Sequence, residues 1–596
     1  MSPIRVLVAL CLFACAACID LPEVVDPPNE PLPVPPLEVR LASPGEATHH
    51  TNGDVPVQVV VSGGEAETVE LLLGEEVLAS LSPPYSYTWA TQGVPEGRYS
   101  LVARAWRQGE GFTSVARAVV VDRTPPRVVA RLPAPGAQDV SVRAPIRIEF
   151  SEPLLASSVT EASFSVTAGG AVMGSAMALA ADSQSVEISL EQVPPVPTDF
   201  MVTVSPLLTD AAGNLIAVPA GGWSWHTPAF IPVGTRLHAG DGLDVSSTLS
   251  VAMDSSTGAP VLAWSEKAGA FGNDIFVRRW SGSEWLDLGM VPRLQDTSTR
   301  LQPQLRLKND GQLLVGFIDY GEDHSPRVVV AEYSGGAWQV LGMPFRCIPP
   351  DGGVSGFTMA LGPDQQPVVA LSDFYPSDPT EGRVYVCRFR AGNWEAVGAP
   401  LGTVGSQGQA SLSGLEVDAV GNPVVLWREG AAFYLEKWNG TAWMRRGQDI
   451  RASSGASLAN ASLAMSQDGV PYIAWTVNDA NAFRRVYAAR DTAANHIGSA
   501  VLASNPQVSV IAPLLKVGEQ GRPVVFWRAH DNSNARSTFQ MMRWLGSQWE
   551  ESMVVTTLPS GAGGGAFAVD AQGEILCAHP EYDGARNVIA LKRFNR

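Results

Sequence analysis

Two residues past a recurrent tryptophan position, the sequence places Glu266, Asp319, Asp373, Glu429, Val477, Ala529 and Glu581. Five of these seven are carboxylates, and that column is the strongest chemical signal in the chain. Carboxylates repeated at one level of a ring attract a cation or a basic partner, or accept hydrogen bonds from sugar hydroxyls. A pair at the right separation also supplies an acid and a base for glycoside cleavage. The same column has a packing use, in which the carboxylates pair with Arg278, Arg388 and Arg428 or cap strand ends. Repeats reuse packing solutions as readily as binding ones, so packing is the default. The five acidic positions are carried forward as a candidate ligand rim. No phosphate-binding loop, dinucleotide fingerprint, HExxH, GxSxG or paired-cysteine zinc pattern is present. The eight histidines are scattered. Neither a catalytic residue nor a cofactor is assigned.

The elements that must position this column come from an internal repeat. Its anchor, Gly-x-Pro-x-x-x-Trp, occurs at Gly258/Pro260/Trp264, Gly421/Pro423/Trp427, Gly469/Pro471/Trp475 and Gly521/Pro523/Trp527. Degenerate copies lie at Gly311/Leu313/Phe317, Gln365/Pro367/Leu371 and Gly573/Ile575/His579. Seven repeats of roughly 50 residues fall within the range of four-stranded propeller blades. In each, a turn rich in Asp and Gly joins the first two strands. The third strand ends in an aromatic, and another aromatic opens the fourth: Trp280/Trp285, Tyr333/Trp338, Phe389/Trp394, Trp438/Trp443 and Trp544/Trp549. These rings are expected to fill the space between neighbouring sheets. The fourth strand closes on a small signature, Trp285-x-x-Leu288-Gly289, repeated at Trp338 and Trp394 and held in register in the fifth repeat by Ala489, Ala494, Ile497 and Gly498. The seventh repeat runs out at Phe594 before it can supply a fourth strand, whereas Phe230-Ile-Pro-Val-Gly234 fits the signature ahead of the first repeat. Residues 229–237 are therefore expected to pair beside 586–594 and close the ring. A closed ring leaves no free sheet edges.

Ahead of the repeats, residues 37–122 and 123–228 read as two units of short alternating strands separated by turns, which suits antiparallel sandwiches. In the first, Pro83-Pro-Tyr-Ser-Tyr-Thr-Trp89 and Gly97-Arg-Tyr-Ser-Leu-Val-Ala103 resemble bacterial Ig-like modules. In the second, Thr124-Pro-Pro126, Pro135-Gly-Ala137, Ile146-Arg-Ile-Glu-Phe-Ser-Glu-Pro153, Thr209-Asp-Ala-Ala-Gly-Asn214 and Trp223-Ser-Trp225 resemble the SbsA-type Ig-like domain. That resemblance implies a spacer or display module without catalytic residues. Asp210 and Asn214 read as a tight turn with Gly213 at positive φ, because one short turn cannot supply the 6–8 oxygens of a calcium site. The repeat region is similar in outline to kelch and sialidase-like propellers. It lacks the Gly-Gly doublets of the first and the Ser-x-Asp-x-Gly-x-x-Trp box and arginine triad of the second, so neither activity is carried over.

At the N-terminus, Arg5 precedes an apolar run from Val6 to Ala17, too short for a membrane span but suited to an export signal. Ala16-Ala17-Cys18 resembles a bacterial lipobox, which implies lipidation of Cys18; Cys15 is the competing site. Residues 19–36 hold seven prolines and read as an extended, semi-rigid spacer. Among the remaining cysteines, Cys577 reads as core, while pairing of Cys347 with Cys387 is left open. With 41 basic against 59 acidic residues the net charge is −18, which disfavours nucleic acid as a partner. The expectation is an all-β chain: signal and lipid anchor (1–18), linker, two Ig-like sandwiches, and a seven-bladed β-propeller (229–596) closed by an N-terminal strand. Functionally it reads as a monomeric, non-enzymatic lipoprotein of the cell surface or outer membrane. The lipid holds it to the membrane, and the propeller rim binds protein or glycan. The alternative is a secreted propeller glycoside hydrolase or polysaccharide lyase.

Overall fold

The computed structural model describes residues 35–596 except 218–221, 239–244, 255, 268–271, 295–297, 322–324, 343–352, 375–381, 403–408, 479–483, 492–507, 532, 534–535 and 560–562. Cys15, Cys18, most of the proline-rich linker, Cys347 and the fifth repeat's Ala494, Ile497 and Gly498 lie outside the described residues. The described residues form strands and short 3-10 turns.

The first sandwich sets a three-stranded sheet (Glu38–Ser43, Val55–Ser62, Ser86–Trp89) against a larger one built around Gly97–Arg107. Strict alternation does the work. Val55, Val57 and Val59 point inward to meet Leu101, Ala103 and Ala105, with Trp89 closing the core. The second sandwich pairs two four-stranded sheets, and its core runs from Ile146, Ile148 and Phe150 to Phe200, Trp223 and Trp225. Asp210 caps the expected turn. Its Oδ1 accepts the N–H groups of Ala212 (2.8 Å) and Asn214 (2.9 Å), and Gly213 sits at φ +89°.

Seven sheets follow, one per repeat. The first strands are Val245–Met253, Thr299–Leu307, Gly353–Leu361, Ser411–Val417, Ser457–Met465, Val508–Val517 and Ala566–Val569. Blades 1 to 7 are numbered by them. Each first strand touches the first strand of the next blade, and that of blade 7 touches that of blade 1. The ring is thus a closed seven-bladed propeller. Each neighbouring pair of blades shares one apolar core, and the last such core joins blade 7 to blade 1 through Leu576, Ala568, Leu262 and Trp264. Three described strands form blade 5.

Closure occurs where the registers require it. Phe230–Pro232 pairs antiparallel with Asn587–Phe594, with Phe230 opposite Phe594 and Ile231 opposite Arg593; Leu237 bridges Ile589. Phe230 is 6% exposed and packs in the core between blades 6 and 7. The junction beside Pro228 is clamped by Asn595, which is itself 2% exposed. Its Nδ2 donates to Val140 O and Pro228 O (2.9 Å each), and its Oδ1 accepts Val142 N–H (2.6 Å).

The paired aromatics flank the inter-blade cores, as expected, from the outer margin of the ring. Each pair faces itself across its hairpin with centroids 5.1–5.4 Å apart, yet all ten rings are half-buried at the perimeter. From the open end of the sheet, Trp285, Tyr333, Trp338, Trp394, Trp438, Trp443 and Trp549 pack against the inter-blade cores. There they clamp the preceding blade. Trp338, Trp394 and Trp443 donate their indole N–H to Leu288, Leu341 and Ala399 carbonyls of the blade before. Gly398 of blade 3 sits at φ +69° against Trp438, where a Cβ would lie 2.4 Å from the ring.

Candidate functional site

The acidic column occupies equivalent positions at the ends of the second strands, but three of its members are interior. Glu266, Asp319 and Asp373 are 0%, 1% and 2% exposed. The physical reason is period two: a side chain on the same face as the buried tryptophan enters the same inter-blade space. Glu266 accepts the Trp264 indole N–H at 2.8 Å. Asp319 accepts Ser298 Oγ–H (3.2 Å), and burial raises its pKa. Asp373 accepts the Arg383 N–H. Glu429 is half-buried. Glu581 pairs with Arg236 at 2.9 Å and lies 3.7 Å from His579, whose ring is fully buried and whose pKa burial lowers to about 4. The expected arginine partners are engaged elsewhere: Arg278 with Asp287, Arg388 with Glu395, and Arg428 with the Gly430 and Ala459 carbonyls. The column is therefore not an open ligand rim. Glu266, Asp319, Asp373 and Glu581 each bond within their own blade or its closing strand.

Another interior ionic group escaped the sequence. Asp274 of blade 1 pairs with Arg300 of blade 2, which is fully buried, and with Arg293 between them. Burial lowers the Arg300 pKa to about 10. This network ties the first two blades and needs their mutual placement to be seen.

The cavity that all blades share is the central channel. It has a volume of about 400 Å³ and is walled by the first strands of all seven blades. At one level near the turn into the second strand, the seven equivalent residues are Ala252, Arg306, Ala360, Glu416, Ala464, Lys516 and Ala568. Charged side chains come from blades 2, 4 and 6, and every odd blade supplies alanine. The four alanines pack into the inter-blade cores, and the three charged side chains line the cavity. Arg306 Nη1 donates to Leu305 O (2.8 Å), while among the described residues no side-chain hydrogen bond or ion pair holds Glu416 or Lys516. Burial lowers the Arg306 and Lys516 pKa values and raises that of Glu416; the Arg306 charge also presses on Lys516, while attraction between Glu416 and the two cations opposes all three shifts.

The next level, two residues earlier, holds four polar residues, Ser250, Gln304, Thr358 and Ser462, and is used for assembly. Ser250 Oγ accepts Leu305 N–H and Ser462 Oγ accepts Leu515 N–H (3.0 Å each), while Gln304 Oε1 accepts Met359 N–H (2.9 Å). Each bond crosses from one blade to the next. The charged level was present in the sequence, five residues before the anchor glycine in six repeats and six in the first. Tabulating that column would have found it.

Near the junction of the two sandwiches, Asp122, Glu152 and Asp210 bring carboxylate oxygens within 4.8 Å of one another. Asp210 is already committed to its turn. Burial and then the Asp122 and Asp210 charges raise the Glu152 pKa.

Comparison with known proteins identifies two of the modules. A bacterial Ig domain family matches residues 38–103, and a bacterial Ig-like domain family matches residues 122–227. No curated protein matches the chain. Among solved structures, it is similar to an α-L-arabinanase of Penicillium chrysogenum complexed with arabinobiose (13% identity, TM-score 0.36, 61% of this chain and 98% of that one). It is also similar to the polysaccharide lyase Uly1 (12%, 0.38, 59% and 90%). A third is the GH93 α-L-arabinofuranosidase of Fusarium graminearum (11%, 0.36, 62% and 97%). Likeness at this level carries no argument about activity. Among the described residues, no helix is long and apolar enough to cross a membrane.

Proposed function

We propose that this is an exported binding protein in which two Ig-like domains, the second of SbsA type, carry a propeller that recognises carbohydrate without cleaving it. The observation that carries the reading is the central cavity. Every blade contributes to it, its wall is rich in hydroxyl, amide and charged groups, and Glu416 is the one carboxylate among its described lining residues. Hydrolysis through two carboxylates needs a facing pair about 5–9.5 Å apart. A cavity with one carboxylate and two cations is better suited to holding a ligand than to cutting one.

The export half of the proposal rests on the signal-like N-terminus and on Cys387, which is disulfide-bonded, as exported proteins tolerate. On this reading Cys18 carries the lipid that anchors the chain to the membrane. Mass spectrometry of membrane-extracted protein should find a lipidated Cys18, and an unmodified mature N-terminus in the soluble fraction would refute the anchor. A glycan array run beside a polysaccharide-degradation screen tests the head. Binding without new reducing ends or unsaturated products supports the proposal; cleavage at catalytic enzyme concentrations favours the hydrolase or lyase alternative.

A further inference from the structure

We infer that Arg306, Glu416 and Lys516 form a binding site for a small hydroxylated carboxylate, of the size and chemistry of a single uronic acid. This inference rests on the reading of the propeller as a binding head and names the ligand class of its central cavity.

Three observations carry it. The first is position. The three charged residues share one register level and all line the central cavity, whereas the alanines of the other four blades at that level pack into the inter-blade cores. The second is incomplete pairing. No ion pair or side-chain hydrogen bond joins the three to one another, although they share one cavity. Two cations and one anion leave an excess of one positive charge. Charged groups withdrawn from bulk water stay ionised at a cost unless a counter-charge meets them. A monoanion between Arg306 and Lys516 supplies that counter-charge, and a guanidinium beside an ammonium offers several donors to its two oxygens.

The third observation is the level above. Ser250 and Ser462 each use their oxygen to accept a backbone N–H from the next blade. A hydroxyl so used keeps its own hydrogen to donate. Glu416, as an acceptor without a side-chain partner among the described residues, complements ligand hydroxyls. Carboxylate at one end and hydroxyls around it is the pattern that satisfies every group the channel leaves open. A cavity of about 400 Å³ holds one such sugar acid and excludes a folded polymer.

The lipid-free protein is to be titrated with D-galacturonate, acetate and methyl galactoside, with binding read by calorimetry. Galacturonate should bind saturably, acetate at least tenfold more weakly, and the neutral glycoside not at all. Lys516→Met and Arg306→Met should each weaken galacturonate at least tenfold. Absence of saturable galacturonate binding would overturn the inference, as would acetate binding equally well or the variants binding like the parent. Where a variant folds poorly, hydrogen exchange on the unaltered protein decides. Galacturonate-dependent protection must fall on 302–306, 413–416 and 514–516, and protection elsewhere refutes the site. The two readings fail separately. Glycan-array hits without galacturonate binding defeat this inference alone. Polymer cleavage with galacturonate bound in the channel defeats the non-enzymatic reading alone.

Discussion

The perimeter of the propeller and its channel use the same sevenfold repeat in opposite ways. At the perimeter, five blades place an aromatic pair across the same hairpin with nearly the same centroid distance, and successive indoles reach back to the preceding blade. One solution has been kept because the packing problem is the same at each junction. On the first strands, one register level holds four alanines, an arginine, a glutamate and a lysine. The alanines complete the inter-blade cores, while the three charged side chains line the cavity instead. Uniform columns therefore mark stability, and a diversified column facing a cavity marks recognition.

The largest effect should come from the closure of the ring. Phe230→Ala empties a buried aromatic site and should cost about 3–5 kcal/mol. Trp443→Ala, at the half-buried perimeter, should cost less, about 1–3 kcal/mol. Denaturant unfolding of both variants checks the order. Equal costs would mean that perimeter rings are core residues after all. Deleting residues 229–237 should leave blade 7 with an open edge that frays or aggregates, seen by hydrogen exchange and light scattering.

His579 replaces the repeat tryptophan in blade 7, and its depressed pKa links stability to pH. The unfolded chain takes up the proton near pH 6.5, whereas the folded protein refuses it until about pH 4. Stability is therefore fully present above pH 6.5 and falls progressively towards pH 4, by up to about 3 kcal/mol. His579→Phe should flatten that slope in melts recorded across the window. An unchanged slope would assign the acid sensitivity elsewhere.

The smallest effect is expected between the sandwiches. Glu152 carries a raised pKa because it is partly buried beside Asp122 and Asp210. A carboxyl whose folded pKa is raised holds its proton longer in the folded state, so this position costs stability as pH rises above the unfolded value of 4.5. Glu152→Gln should raise the melting temperature by a degree or two at pH 7 and leave it unchanged at pH 4. A drop at pH 7 would show the carboxylate to be stabilising.

The strand register of the propeller was legible because aromatic, glycine and proline anchors recur at fixed offsets. Even the donated strand at Phe230 followed from a signature missing in blade 7 and present before blade 1. The acidic column was equally visible, but its direction was not. Facing the same way as Trp264 means facing the neighbouring blade, and that becomes evident only when the blades are set side by side. Arg306, Glu416 and Lys516 escaped because a mixed column of alanine and charge reads like solvent-exposed surface. Whether such a column faces water or an enclosed channel depends on a register that inner-strand bulges shift in six of the blades.

The division between perimeter and channel is tested most directly by one double variant, Arg306→Met with Lys516→Met, in which melting temperature and galacturonate affinity are measured together. Removing two incompletely paired charges should hold or raise the melting temperature, while saturable galacturonate binding disappears. A melting temperature lowered as far as by Phe230→Ala, with galacturonate affinity unchanged, would contradict the account.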